Sequence, residues 1–188
     1  MTKEEATPLQ TLVSRTRALV QSGLGEAELT KATAEELQTA LAAGLDVPLA
    51  AQAGDPDHYV MYPLHVEPDG SFSIASAVWG VGQETPVHGH ETWGVVGIYS
   101  GHEHEVGYHK PDMPDVPLVE KSDDIWGPGQ VTVCCTTNDD VHRVRCHGDS
   151  PVVGIHIYGA DIGTLRRRTY EPESGRVDWF VSTWAEFS

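Results

Sequence analysis

The sequence predicts an all-β sandwich or barrel behind a short helical N-terminal extension. Three observations lead there. From about His58 onward, short β-type runs recur: HYVMYPLHV, SFSIASAVWG, TWGVVGIYS, HEVGYH, QVTVCCTT, VHRVR, PVVGIHIYG and RVDWFVS. Gly, Pro, Asp and Asn punctuate the gaps, as in Gly127-Pro128-Gly129 and in Thr137 to Asp140. Many short strands separated by turn signals every ~8–12 residues characterise such folds. Before this region the apolar spacing is helical.

The opening residues predict two helices. Thr7-Pro8-Leu9-Gln10 offers an N-cap threonine, proline at the first helical position and a capping-box glutamine. Leu9, Leu12, Val13, Thr16, Leu19 and Val20 follow helical spacing, and Gly23 can end the helix. Thr33 to Glu36 repeats the capping box ahead of Leu37, Leu41 and a closing Gly44, so a second helix is expected from there. No catalytic grouping stands in this part. The expectation is a helical extension over residues 1–50, packed on a barrel over 51–188, the whole forming one structural domain.

The bulk properties narrow the function classes. The chain has 188 residues, 39% hydrophobic and 21% charged, with a formal net charge of −16. The isoelectric point is near 4.8. So acidic a surface repels phosphate backbones, which argues against a nucleic-acid partner. No apolar run approaches the ~18 residues of a membrane span. The N-terminal residues carry no apolar stretch of the secretory kind, and three clustered cysteines make no disulfide framework. Both features suit a reducing cytoplasm.

The chemistry starts at "TPVHGHETWG", Thr85 to Gly94. Residues i and i+2 of a strand share a face about 6.6 Å apart, so His88 and His90 can close on one metal ion. Taken alone, such a pair is more often two solvated histidines on an exposed edge. Context extends it: Gly82 precedes His88 by a five-residue gap, and the Gly127-Pro128-Gly129 turn and the strand QVTVCCTT lead to His142.

This pairing resembles the two signature motifs of the cupin superfamily, over roughly residues 58–185. The resemblance implies a double-stranded β-helix, a jelly-roll-like barrel, with a metal on His88, His90 and His142. Most metal cupins add a glutamate shortly after the histidine pair, but here Gly94 and Val95 stand in that region, and Glu91 alternates to the other face. Three neutral imidazoles leave a divalent charge uncompensated and coordination positions open, which favours an anionic ligand such as a thiolate. Zinc with three histidines and a water is the alternative.

A narrower likeness lies in "WGVGQETPVHGHETWGVVGIYSGHEHE", with "VHRV" and "GIHIY" later. These strings resemble the bacterial branch of the cysteine dioxygenase family. The likeness implies Fe(2+) on the three histidines and a reaction of a small thiol or thione with O2 to a sulfinic acid. It places Tyr158 beside the reacting groups, oriented by His156, as catalytic residues. Gly154 stands where the family carries a serine, which removes the usual end of that hydrogen-bond relay. Gly94 stands where animal members carry a cysteine cross-linked to the tyrosine, so no cross-link is expected.

The family's carboxylate-binding arginine, or the glutamine of a related group, has no counterpart in the window Tyr59 to Val66. Tyr59, Met61, Tyr62 and His65 instead suggest a broader substrate pocket, for a mercapto acid or a thioimidazole such as ergothioneine rather than free L-cysteine. Arg143 and Arg145 are expected to point away from the metal, and the triplet Arg166-Arg167-Arg168 reads as a solvated strand able to turn one guanidinium inward. The second pair, His102 and His104, reads as a solvated strand face, and His58, His109 and His147 as structural. A non-oxidative zinc or nickel cupin (isomerase, hydrolase or sensor) is the competing reading, and a monomer or small homo-oligomer is expected.

Overall fold

A computed structural model describes residues 5–136 and 140–187, and of Cys135 the backbone only. The turn expected at Thr137-Asn138-Asp139 lies outside the described residues, as does the extreme N-terminus. Two helices come first: α1 (Pro8–Val20) and α2 (Glu26–Ala42). Eleven strands follow: β1 (Val60–Val66), β2 (Ser73–Trp79), β3 (Val87–His88), β4 (Gly94–Ser100), β5 (His102–Tyr108), β6 (Glu120–Trp126), β7 (Val131–Cys135), β8 (His142–His147), β9 (Val152–Tyr158), β10 (Arg167–Tyr170) and β11 (Val177–Phe180). They form two antiparallel sheets, in the orders β1-β2-β9-β4-β7 and β11-β10-β3-β8-β5-β6. The two sheets pack as a jelly-roll-like β-barrel. No helix among the described residues is long and apolar enough to cross a membrane.

The five-stranded sheet is buried on both sides, and strand alternation sorts its residues. Val153, Ile155 and Ile157 of β9 join Leu12, Leu29 and Leu37 of the helices in one apolar cluster. Val96 and Ile98 of β4, with Tyr158 of β9, point the other way, into the barrel. Gly97 lets α2 sit close, since a Cβ there would stand 2.8 Å from Leu41 Cδ1. Arg17 of α1 forms a two-pronged ion pair with Glu67, at 2.9 Å for each contact.

The Thr7 capping box forms as its residues dictate, with both reciprocal bonds present. The second helix differs from expectation. It starts at Glu26 with Gly25 as N-cap, and Thr33 lies inside it, donating its hydroxyl to the Leu29 carbonyl. Thr33 thus satisfies itself by back-bonding within the turn. Glu26 and Glu28 sit in the first turn, where a helix N-terminus favours acid. Three strands lie outside the β-type runs of the sequence: the very short β3, β10, and β6, whose Glu120, Asp123 and Asp124 suit a charged sheet edge.

Candidate metal centre

His88, His90 and His142 come together inside the barrel, with one ligand atom of each within 4.8 Å of the others. Strand register does this: His88 on β3 pairs directly with His142 on β8. The three rings lie 4.8–4.9 Å apart between centroids, and all three are buried.

The loop after β3 is pinned from behind. Asp140, fully buried, accepts the backbone N–H groups of His90 and Glu91 at 2.8 and 2.9 Å, and pairs with Lys110 Nζ at 2.7 Å. Gly89 leaves room for this carboxylate, since a Cβ there would press on Asp140 Oδ2 at 3.0 Å. Glu91, at φ 57°, turns outward to a two-pronged pair with Arg168, so it is no metal ligand.

The donor set fits a divalent transition metal. Burial first, then the neighbouring charge of His142, hold His88 and His90 well below the usual histidine range, so both rings are neutral and carry lone pairs. The Nδ1 of His88 donates to the Pro86 carbonyl at 3.0 Å, which leaves Nε2 as the ligand atom. The Nδ1 of His142 hydrogen-bonds Glu105, and Trp126 Nε1 donates to the other Glu105 oxygen at 2.8 Å. Burial works against ionisation of Glu105, but the His142 bond and charge outweigh it and hold its carboxyl below the usual range. A carboxylate behind a histidine in this way fixes ring orientation and raises basicity.

The cavity beside the three histidines encloses about 290 Å³ including its mouth. Tyr158 stacks on His90, 5.2 Å between centroids, and its hydroxyl lies 2.8 Å from His156 Nδ1. Burial lowers His156 to about 3, so it too is a neutral ring. Gly94 stands opposite Tyr158 in the β4–β9 register.

Of the residues read as substrate contacts, Tyr59 and Met61 line the cavity. Tyr62 and His65 do not. Tyr62 alternates to the helix side, where it donates to the Ala53 carbonyl and stacks on Phe187. At His65 the register shifts between Pro63 and His65, and the ring turns to Glu67 at 2.8 Å.

Of the Arg166-Arg167-Arg168 triplet, Arg167 is the one turned inward. Instead of lying on a solvated strand, Arg167 is 2% exposed, and its guanidinium lines the cavity, stacks 4.6 Å over Phe180 and donates to Ser182 Oγ at 2.6 Å. Arg166 and Arg168 flank Trp179 outside the cavity. The second histidine pair is likewise not a solvated face. His102 is exposed, but His104 is buried between Asp123, at 2.7 Å, and Arg145 Nε, at 2.6 Å. The intervening Glu103 and Glu105 point into the barrel, 2% and 8% exposed.

No protein-family model matches the chain. Among solved structures it is similar to a protein from Thermus thermophilus, with 18% identity and a TM-score of 0.47 over 61% of this chain and 96% of that one. It is similar to a Cupin 2 conserved barrel domain protein from Salinispora arenicola, at 14% identity and TM-score 0.44, covering 62% and 87% of the two chains. A cupin superfamily protein from Desulfitobacterium hafniense follows at 12% identity and TM-score 0.46, covering 63% and 93%. The likeness is one of fold.

Proposed function

We propose that this protein is an iron(II)-dependent thiol dioxygenase acting on a small thiol that carries a carboxylate. One observation carries the reading: the imidazoles of His88, His90 and His142, the Tyr158 hydroxyl and the Arg167 guanidinium line a single small cavity. His88, His90 and His142 would hold the ion. Bound ferrous iron supplies the redox chemistry that joins a thiolate and dioxygen into a sulfinate without a further reductant.

The chain's own residues do the rest. Arg167 offers a rigid, charge-assisted clamp for a carboxylate, steadied by Ser182 and the Phe180 ring. Tyr158, held by His156, can give a proton to the reacting group or take one from it. Met61, Trp79 and Val144 keep the cavity apolar and exclude bulk water.

The buried clamp restores the cation that the window 59–66 lacks, so a thiol acid is the substrate class. The cavity is small, which favours a mercapto acid over ergothioneine. None of the described residues lining the cavity is an acid, so an ammonium group enters without a counter-charge. That favours 3-mercaptopropionate over free cysteine.

The competing reading is a zinc cupin without redox activity, favoured by the same three-nitrogen donor set. One experiment separates them: kcat/KM by oxygen uptake for 3-mercaptopropionate, cysteine, cysteamine and ergothioneine with the iron-loaded protein. The expected order puts 3-mercaptopropionate first and cysteamine last. Changing Arg167→Met removes the advantage of the acid over cysteamine, roughly 10- to 150-fold for a charge-assisted contact. Cysteamine turned over as well as the acid overturns the clamp, and no uptake with any thiol favours the zinc reading.

A further inference from the structure

Two buried polar atoms lie near Tyr158 with no role in the metal site. Glu103 Oε2 and His156 Nε2 both lack a hydrogen-bond partner among the described residues. Both border the same notch. A Cβ built on Gly154 would stand 2.7 Å from His156 Nε2 and 3.6 Å from Glu103 Oε2. Because residue 154 is glycine, the space a side chain would fill stays open between an acid and an imidazole. Any larger residue, serine included, would press on the buried His156 ring, which Trp79 holds from the side. Buried polar groups are rarely left unpaired, and a polar notch flanked by two such groups suits one bridging water.

Resting on the dioxygenase reading for its catalytic meaning, we propose that Glu103 is a positioning residue, hydrogen-bonding His156 Nε2 across the Gly154 notch and so setting the direction of the Tyr158 proton. The acid donates its O–H to Nε2 through one bridging water. The ring proton of His156 then resides on Nδ1, which donates to the Tyr158 oxygen. The Tyr158 O–H is left to point into the cavity, toward the reacting group. With the opposite tautomer, Nδ1 accepts from Tyr158 and the hydroxyl is turned away. Burial, and then the neighbouring Glu105 carboxylate, push the Glu103 carboxyl up to about 8, so it keeps the proton it donates at neutral pH.

The test is nitrogen-15 NMR of histidine tautomers in the metal-free full-length chain, which needs neither iron nor turnover and so stands or falls apart from the dioxygenase reading. The wild type is expected to hold His156 in the Nδ1–H form at neutral pH. Glu103→Gln, whose amide also donates, is expected to keep it. Glu103→Leu is expected to move the ring toward the Nε2–H form, and Gly154→Ala, which fills the notch with Glu103 intact, to do the same. In the iron-loaded enzyme Glu103→Leu then lowers kcat about 10-fold or more with KM little changed, while Glu103→Gln stays near wild type. A wild type already in the Nε2–H form overturns the proposal even if Glu103→Leu does not fold. So does a folded Glu103→Leu or Gly154→Ala protein with the wild-type tautomer.

Discussion

Changing Glu105→Ala weakens metal binding without touching a ligand. Glu105 accepts from His142 Nδ1 through one oxygen and from Trp126 Nε1, at 2.8 Å, through the other. Alanine leaves both N–H groups facing an apolar gap and frees the His142 ring to rotate. Loss of such a partner typically costs 10- to 100-fold in metal affinity, about 1.4–2.7 kcal/mol at 1.36 kcal/mol per tenfold. Glu105→Gln falls between, because an amide oxygen turned to His142 leaves the amide nitrogen facing the Trp126 N–H. The assay is competition against a chromophoric chelator for ferrous and zinc ions. Thermal melts of the metal-free variants separate lost affinity from lost fold. A Glu105→Ala protein that folds and binds metal within about twofold of wild type would refute the reasoning.

Other outcomes follow from the same geometry. Tyr158→Phe keeps its iron content and loses roughly 10- to 1,000-fold in turnover, read from sulfinate formation at saturating thiol; an unchanged rate makes Tyr158 a packing residue. Gly97→Ala forces α2 away from β4, because its Cβ would meet Leu41 at 2.8 Å, and overpacking of that kind costs about 1–3 kcal/mol in denaturant unfolding. An unmoved midpoint contradicts the close approach. The metal-free chain is sensitive to acid: His88, His90 and His156 stay neutral in the fold, whereas in the unfolded chain they protonate near 6.5. The unfolded state therefore binds more protons below 6.5, and stability falls as pH drops from there toward about 3. Glu103 works in the other direction. Its carboxyl, ionised above 4.5 when unfolded but near 8 in the fold, makes stability fall as pH rises between those values, up to ~5 kcal/mol. Glu103→Gln should flatten that limb; a limb that keeps its slope assigns it to other groups.

The sequence made the three-histidine set legible because the Gly82–His90 motif and the later His142 carry their own spacing, and strand pairing only had to bring them opposite each other. Thr7 and Gln10 were equally plain, since a capping box is local chemistry. What stayed hidden depended on which way a strand faces. In the Arg166–Arg168 triplet, alternation says that one side differs from the other, but only pairing of Arg167 with Phe180 on β11 decides that Arg167 goes inward. Attention to His102 and His104 concealed that Glu103 and Glu105, by the same alternation, are the residues inside. His65 left its expected face through a register shift after Pro63, which no propensity announces. The start of α2 was misplaced because Thr33 satisfies a capping pattern and an interior back-bond alike.

The most direct test of the central claim is product analysis with isotopically heavy dioxygen, using the full-length protein loaded with ferrous iron and 3-mercaptopropionate. The expected product is a sulfinate that carries both oxygen atoms from dioxygen, and a His142→Ala protein forms none. Iron stably held by His88, His90 and His142 with no sulfinate formed, or with oxygen in the product drawn from water, would contradict it.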